Sequence, residues 1–402
     1  MELKPGYKQT EVGVIPEEWK SSTVRGLASS ARNAIVGGPF GSDLVSRDYV
    51  EHGVPVIRGQ NMSGQWVSGT FVFVTPAKGK SLEANLARPG DIVFTQRGTL
   101  GQVSLVPGKP FESYLVSQSQ MKLSVNREVA DPLFFFYVFT SEKQQELISG
   151  GTIQTGVPHI NLGILRDIPV QLPPLPEQRA IAGVLSDVDE LIGALEQLIA
   201  KKRDLKQAAM QQLLTCQTRL PGFHGEWEVK RLGEVLKVRH GKSQRNVAAE
   251  DGMYPILATG GEIGRTNHYL YDKPSVLIGR KGTIDVPQYV ETPFWTIDTL
   301  FYTEVSAEAD AKFLFYKFNM INWRNYNEAS GVPSLNASTI ESIEFSCPRT
   351  KEQTAIAEVL SDMDAELAAL ELRRDKTRVL KQGMMQELLT GRIRLVKPEA
   401  VH

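Results

Sequence analysis

The eleven residues EQRAIAGVLSD at 177–187 return as EQTAIAEVLSD at 352–362. Extended without a gap, the comparison pairs Glu177–Leu220 with Glu352–Leu395, and 25 of the 44 positions are identical. Shared composition cannot produce that agreement, so the chain contains a duplicated unit. In the first copy Ile181, Leu185, Val188, Ile192, Leu195 and Ile199 follow one another at alternating steps of four and three. The second copy repeats the seam with Ile356, Leu360, Met363, Leu367 and Leu370. This is the apolar stripe of a coiled coil. It then slips by one residue, to Leu205, Ala209 and Leu213 and to Leu380, Met384 and Leu388, as a stutter does. Pro176 suits the first turn of one helix, and Thr350 with Gln353 predicts a capping box for the other.

Each helix is expected to run about 40 residues, roughly 60 Å at 1.5 Å per residue. Helices on the surface of a globular domain are usually much shorter, so the two copies are expected to pack on each other. If a pseudo-two-fold axis relates them, they lie antiparallel, with the globular domains at opposite ends of a rod. Asp187 and Asp189, with Asp362 and Asp364, flank the seam and are read as solvated helix face rather than acid-base pairs.

Ahead of each helix lies a mixed segment. The chain divides into a first globular domain over 1–172, a long helix within 173–220, a second globular domain over 221–348, and a second long helix with its tail over 349–402. The two globular segments share landmarks: a Trp near the start (Trp19, Trp227), a Gly-rich stretch (VGGPFGS at 36–42, ATGGEIG at 258–264), and an apolar strand ending in a basic turn (DIVFTQRGT at 91–99, SVLIGRKGT at 275–283). An aromatic helix follows (LFFFYVF at 133–139, KFLFYKF at 312–318), then a Gly-Val-Pro turn with an Asn three residues on (156–161, 331–336). Strands rich in Val, Ile, Phe and Thr, broken by Gly and Pro, predict α+β domains with a substantial antiparallel sheet. The aromatic helices are read as core, and Asn161 and Asn336 as caps of short helices.

Other classes are poorly supported. Cys216 and Cys347 are the only cysteines, without a CxxC or a histidine cluster, so neither a disulfide scaffold nor a structural metal is expected. No signal-like or membrane-length apolar run is found, and the expected location is cytoplasmic. HGKS at 240–243 resembles the tail of a phosphate-binding loop, but Leu236 stands where its first glycine belongs. No hydrolase, zinc-protease or EF-hand pattern is present, so no catalytic residue and no cofactor is assigned to this chain. The net charge is -1, and no segment is a basic block. Any nucleic-acid contact must therefore rest on local clusters or on partner subunits.

Such clusters exist. Arg97, and Arg280 with Lys281, follow apolar strands and precede Gly98-Thr99 and Gly282-Thr283, where a backbone can approach phosphate while a cation reaches phosphate or a guanine edge. The competing reading is a strand-ending turn with a solvated charge; recurrence at matching places favours contact. Arg58, Gln60 and Asn61 in RGQN, and Arg239, Lys242 and Arg245 in RHGKSQRN, carry side chains of the base-reading types, with a solvated loop as the competitor.

With these residues assembled, the chain resembles the DNA-specificity subunit of type I restriction–modification systems. The resemblance rests on the EQxAIAxVLSD helices ending in QQLLT and QELLT, on PFGS and RGT in the first half, and on YPILATGG and LIGRKGT in the second. It implies two target-recognition domains, each reading one part of a split, asymmetric sequence in double-stranded DNA, with the helix pair setting the unread spacer. It also implies a subunit without catalysis, partnered by two modification subunits that use S-adenosylmethionine and by restriction subunits that use ATP and magnesium. One departure is that RGTLG becomes KGTID, so Asp285 stands where the first half has Gly101. The alternative is a coiled-coil scaffold joining two protein-interaction domains without DNA contact.

Overall fold

The structure, a computed structural model, describes residues 5–153 and 158–396. Two compact units emerge, one built from residues up to Ala194 together with those from Arg374 onward, the other from Leu195–Arg373. The two long helices, Leu175–Leu214 and Thr350–Leu388, span 40 and 39 residues, as the repeat predicts, and each contributes one part to each unit.

In the first unit the strand Lys20–Thr23 pairs antiparallel with Pro169–Leu172, so the globular segment opens and closes at one place before the chain enters the long helix. Between them lie two sheets. One is antiparallel, in the order Val103–Leu105, Ile92–Thr95, Gln120–Leu123, Ile35–Gly37. The other runs Tyr49–Val50, Val72–Val74, Val54–Ile57, Tyr114–Val116, Leu86–Ala87 and contains one parallel pair, Val54–Ile57 with Tyr114–Val116. The second unit repeats the plan. Glu228–Arg231 pairs with Glu344–Cys347. An antiparallel sheet has the order Leu236–His240, Leu300–Val305, Ser275–Gly279, Gln288–Val290, and a three-stranded sheet holds the parallel pair Tyr254–Ala258 with Trp295–Thr296. The α+β expectation and the internal repeat both stand.

The topology corrects one landmark. Strand Ile35–Gly37, which leads into VGGPFGS, occupies the sheet position of Leu236–His240, which leads into HGKS. ATGGEIG instead follows Tyr254–Ala258, the counterpart of Val54–Ile57, so its match is RGQN. The two stretches share glycine content but belong to different sheets. Gly156 and Val157 of the first Gly-Val-Pro turn lie outside the described residues.

The aromatic helices are core: Phe134, Phe135, Tyr137 and Phe139 in Pro132–Thr140, and Phe313, Tyr316 and Phe318 in Ala311–Met320, are buried. The apolar seam of the long helices has two uses. Ile181 and Leu185 join the first core together with Leu388 and Leu389, while Ile356 and Leu360, with Met363 at the margin, join the second together with Leu213 and Leu214. Leu195 and Leu367 are buried, and Val188, Ile192 and Leu370 are half-buried. Each fully buried aliphatic side chain contributes about 1.5–3 kcal/mol, so these positions fasten each globular core to both helices. The stutter positions Leu205 and Leu380 are exposed, which corrects the expectation that the stripe continues through them.

The helices run antiparallel. Within the second unit Lys202 pairs with Glu366 and Lys206 with Asp364, so one residue number rises as the other falls. Within the first unit Lys381 pairs with Asp189 at 2.7 Å. Exchanging the two copies carries Asp189 and Lys381 onto Asp364 and Lys206. These aspartates are therefore not simply solvated: Tyr137 donates to Asp189 at 2.9 Å and Tyr316 to Asp364 at 2.7 Å. The predicted capping box is also absent. The Thr350 hydroxyl donates to the Glu308 carbonyl, and the Gln353 amide spans the Pro348 carbonyl and the Asp310 N–H. Gln178 does the same in the first unit, donating to the Pro173 carbonyl and accepting from the Asp131 N–H.

Candidate nucleic-acid interface

In the first unit the candidate residues come together at one end of the sheets. The backbone N–H groups of Gln96 and Arg97 both donate to the Ser119 carbonyl, and Ile160 N–H donates to the Gln96 carbonyl. This clamps the end of strand Ile92–Thr95 between the 117–119 turn and the segment around His159. Gly98 follows at φ +101°, a left-handed conformation that favours glycine, and its Cβ position faces open space. Arg97, Gly98 and Thr99 are exposed. The RGQN turn reaches the same end, because Ser117 N–H donates to the Ile57 carbonyl and the Gln102 amide to the Gly59 carbonyl. Gln60 is exposed there, and Arg58 is half-buried with its Nε enclosed and without a hydrogen-bond partner.

Asn61 departs from its predicted role. It is fully buried, with Oδ1 accepting from Arg58 N–H and Nδ2 donating to the carbonyls of Ser68 and Thr70. Its amide builds the turn that presents Arg58 and Gln60; both N–H bonds are spent on that turn and the side chain is enclosed, so no base edge reaches it.

The second unit builds the same platform from different side chains. Arg280 and Lys281 N–H groups both donate to the Thr299 carbonyl, Leu335 N–H donates to the Arg280 carbonyl, and Gly282 stands at φ +87°. Arg97 thus matches Lys281, and Gln96 matches Arg280. Lys281, Gly282 and Thr283 are exposed, while the Arg280 guanidinium donates to the Asp298 carbonyl at 3.2 Å. Lys242 joins them: its N–H donates to the Thr296 carbonyl, its own carbonyl accepts from Trp295 Nε1, and the residue is exposed. Arg239 is engaged elsewhere, its guanidinium held 2.8 Å from Glu304 on the neighbouring strand. That partner raises its pKa further and keeps the group as half of an ion pair. Arg245 is exposed on the following loop, and among the described residues no hydrogen bond or ion pair of its side chain ties it to the platform.

The Gly101 and Asp285 positions differ for a visible reason. Gly101 stands at φ +87°, and an added Cβ would lie 2.3 Å from Gln145 Oε1. Asp285 instead pairs with Arg324 at 2.9 Å, and that guanidinium holds its carboxyl below the usual carboxylate range.

Residues that sequence reasoning passed over tie each globular core to its helix. Glu177 is buried; it accepts from Trp19 Nε1 at 2.9 Å and, through its two carboxylate oxygens, from Nε and one Nη of Arg394. Glu352 repeats this with Trp227 and Arg219. The available signal was identity between the copies at polar positions, since Glu, Gln, Asp, Lys and Arg recur there at 177, 178, 189, 206 and 219.

Among the described residues no group of three His, Cys, Asp or Glu side chains could hold a metal ion, and no helix is long and apolar enough to cross a membrane. Two copies of one loop platform, differently furnished and each carried by a core fastened to a copy of one helix, define a duplicated recognition protein. The chain belongs to the family of type I restriction modification DNA specificity domains, which matches residues 16–202 and 224–377. That family is the specificity subunit of type I systems, and catalysis resides in other subunits. The chain is 25% identical to the MjaX type I restriction enzyme specificity subunit of Methanocaldococcus jannaschii over 97% of each chain. Its fold is similar to the type I S subunit from M. genitalium, with a TM-score of 0.64 and 18% identity over 96% of this chain and 98% of that one. A second structure, described for complex assembly and conformational transition of the type I R-M system, gives a TM-score of 0.56 at 17% identity, covering 94% and 99%.

Proposed function

We propose that this chain reads a split, asymmetric sequence in duplex DNA, with each unit reading one half through its loop platform and the paired helices setting the unread spacer. The observation that carries this is the equivalence of Gln96-Arg97-Gly98 on Ser119 with Arg280-Lys281-Gly282 on Thr299: the backbone is the same and the reading side chains differ. Arg58, Gln60, Arg97 and Thr99 serve the first half, and Lys242, Arg280, Lys281 and Thr283 the second, with Gly98 and Gly282 allowing close approach of phosphate. The near-neutral charge fits a chain that supplies local readout while partners supply much of the phosphate contact. Those partners are two modification subunits using S-adenosylmethionine, docked on the helix pair, and restriction subunits using ATP and magnesium, in the cytoplasm.

Methylome sequencing of the host with and without this gene tests the reading. A bipartite adenine-methylated motif should vanish on deletion, and persistence of every motif would favour the scaffold without DNA contact. In the complemented host, Arg97→Ala should relax or weaken choice at one half of the motif and Lys281→Ala at the other. Equal effects of both variants on both halves would count against the assignment.

A further inference from the structure

Phe40 is 88% exposed, the most exposed large apolar side chain among the described residues. Leaving an aromatic ring in water forgoes the burial that ordinarily places it in a core. The ring is nevertheless presented on a braced loop. A Cβ at Gly38 would lie 1.9 Å from the Ser117 carbonyl oxygen and 2.7 Å from the Gln118 Cα, so only glycine fits where the loop crosses the 117–119 turn. Pro39 is buried. The Gln118 amide then donates to the carbonyls of Gly41 at 2.8 Å and Leu44 at 2.7 Å, and Asp43 N–H donates to the Phe40 carbonyl. The same turn carries the Ser119 carbonyl that clamps Arg97, so the loop is part of the first platform.

The second unit pins its counterpart in the same way: a Cβ at Gly241 would lie 2.0 Å from the Ile297 carbonyl oxygen. There the pinned glycine is followed by Lys242 and Ser243, where the first unit has Pro39 and Phe40. One rigid support thus presents an aromatic ring in one unit and hydrophilic groups in the other.

Resting on the function proposed above, we propose that Phe40 is a specificity-determining residue of the first unit that contacts bases of its half-site through its ring. An apolar ring gains nothing from phosphate. Its fitting partners in duplex DNA are a thymine methyl in the major groove or an opened base step against which the ring can lodge. The contact adds affinity without releasing counterions, which separates it from the cations beside it.

The test uses the chain assembled with its modification subunits and duplexes carrying the host's own motif, with either half scrambled in turn. Phe40→Ala should weaken binding to the intact motif about tenfold, the scale of one lost base contact. The loss should be confined to duplexes in which one particular half is intact, the slope of log affinity against log salt should be unchanged, and Phe40→Leu should recover part of it. A wild-type assembly that fails to distinguish its motif from scrambled duplex would overturn the functional reading itself. With wild-type discrimination intact, this inference alone is overturned by an unchanged affinity, by equal loss on scrambled duplex, by a shallower salt slope, or by loss of the modification subunits from the Phe40→Ala assembly.

Discussion

Glu177 and Glu352 are only 1% and 3% exposed, yet each carries a charge into the junction of core and helix. The charge is tolerable because an indole N–H and a guanidinium fork satisfy it. Removing a cation from such a pair costs more than the pair is worth, because the remaining carboxylate stays buried. Arg394→Ala should therefore destabilise the chain by about 2–3 kcal/mol, below the usual range for buried pairs because the guanidinium keeps 20% of its exposure. Glu177→Gln should cost less, since its amide oxygen still accepts from Trp19. Denaturant unfolding of the double variant decides the point: it should be more stable than Arg394→Ala alone, and additive losses would show that the buried charge is not the cause.

At the next scale, each long helix is held by a Tyr–Asp–Lys group: Tyr137, Asp189 and Lys381 in the first unit, and Tyr316, Asp364 and Lys206 in the second. Burial, reinforced by the adjacent aspartate, pushes both phenols well above the ordinary tyrosine value of about 10. A proton held more tightly when folded stabilises fully below pH 10, and the benefit is lost as pH climbs from there through the folded-state values. Melting temperature should fall above pH 10, and Tyr137→Phe with Tyr316→Phe should flatten that fall while lowering stability at pH 7. Parallel profiles for the two proteins would exclude these phenols. The groups were invisible in the sequence although the helices were plain: a 4-3 stripe is a local signal, whereas Tyr137 reaches Asp189 only after the chain has closed a whole domain. The Gly-rich landmarks mislead for the same reason. ATGGEIG and VGGPFGS look alike, but sheet position depends on the nonlocal parallel pair Tyr254–Ala258 with Trp295–Thr296. The RGT and KGT turns were legible because strand, basic residue and glycine are contiguous, whereas Phe40 escaped notice because exposure is not written in sequence.

For the whole chain, duplication gives the helix contacts the logic of a symmetric dimer. Asp189 with Lys381 maps onto Asp364 with Lys206, Glu177 with Arg394 maps onto Glu352 with Arg219, and even the helix ends agree, with Cys216 at φ 60° and Gly391 at φ 70°. The platforms, freed from that symmetry, hold different side chains. On the proposed reading the helices then measure DNA, and their length should be adjustable without touching either reader. Seven residues inserted after Ala200 and seven after Ala369 would face each other in the antiparallel register set by Lys202–Glu366 and Lys206–Asp364. A full heptad preserves the apolar stripe and adds roughly 10 Å to each helix. At 3.4 Å per base pair, the methylated motif in a complemented host should keep both half-sites and gain about three base pairs of spacer. Retention of the original spacing with methylation intact would exclude the helix pair as the ruler.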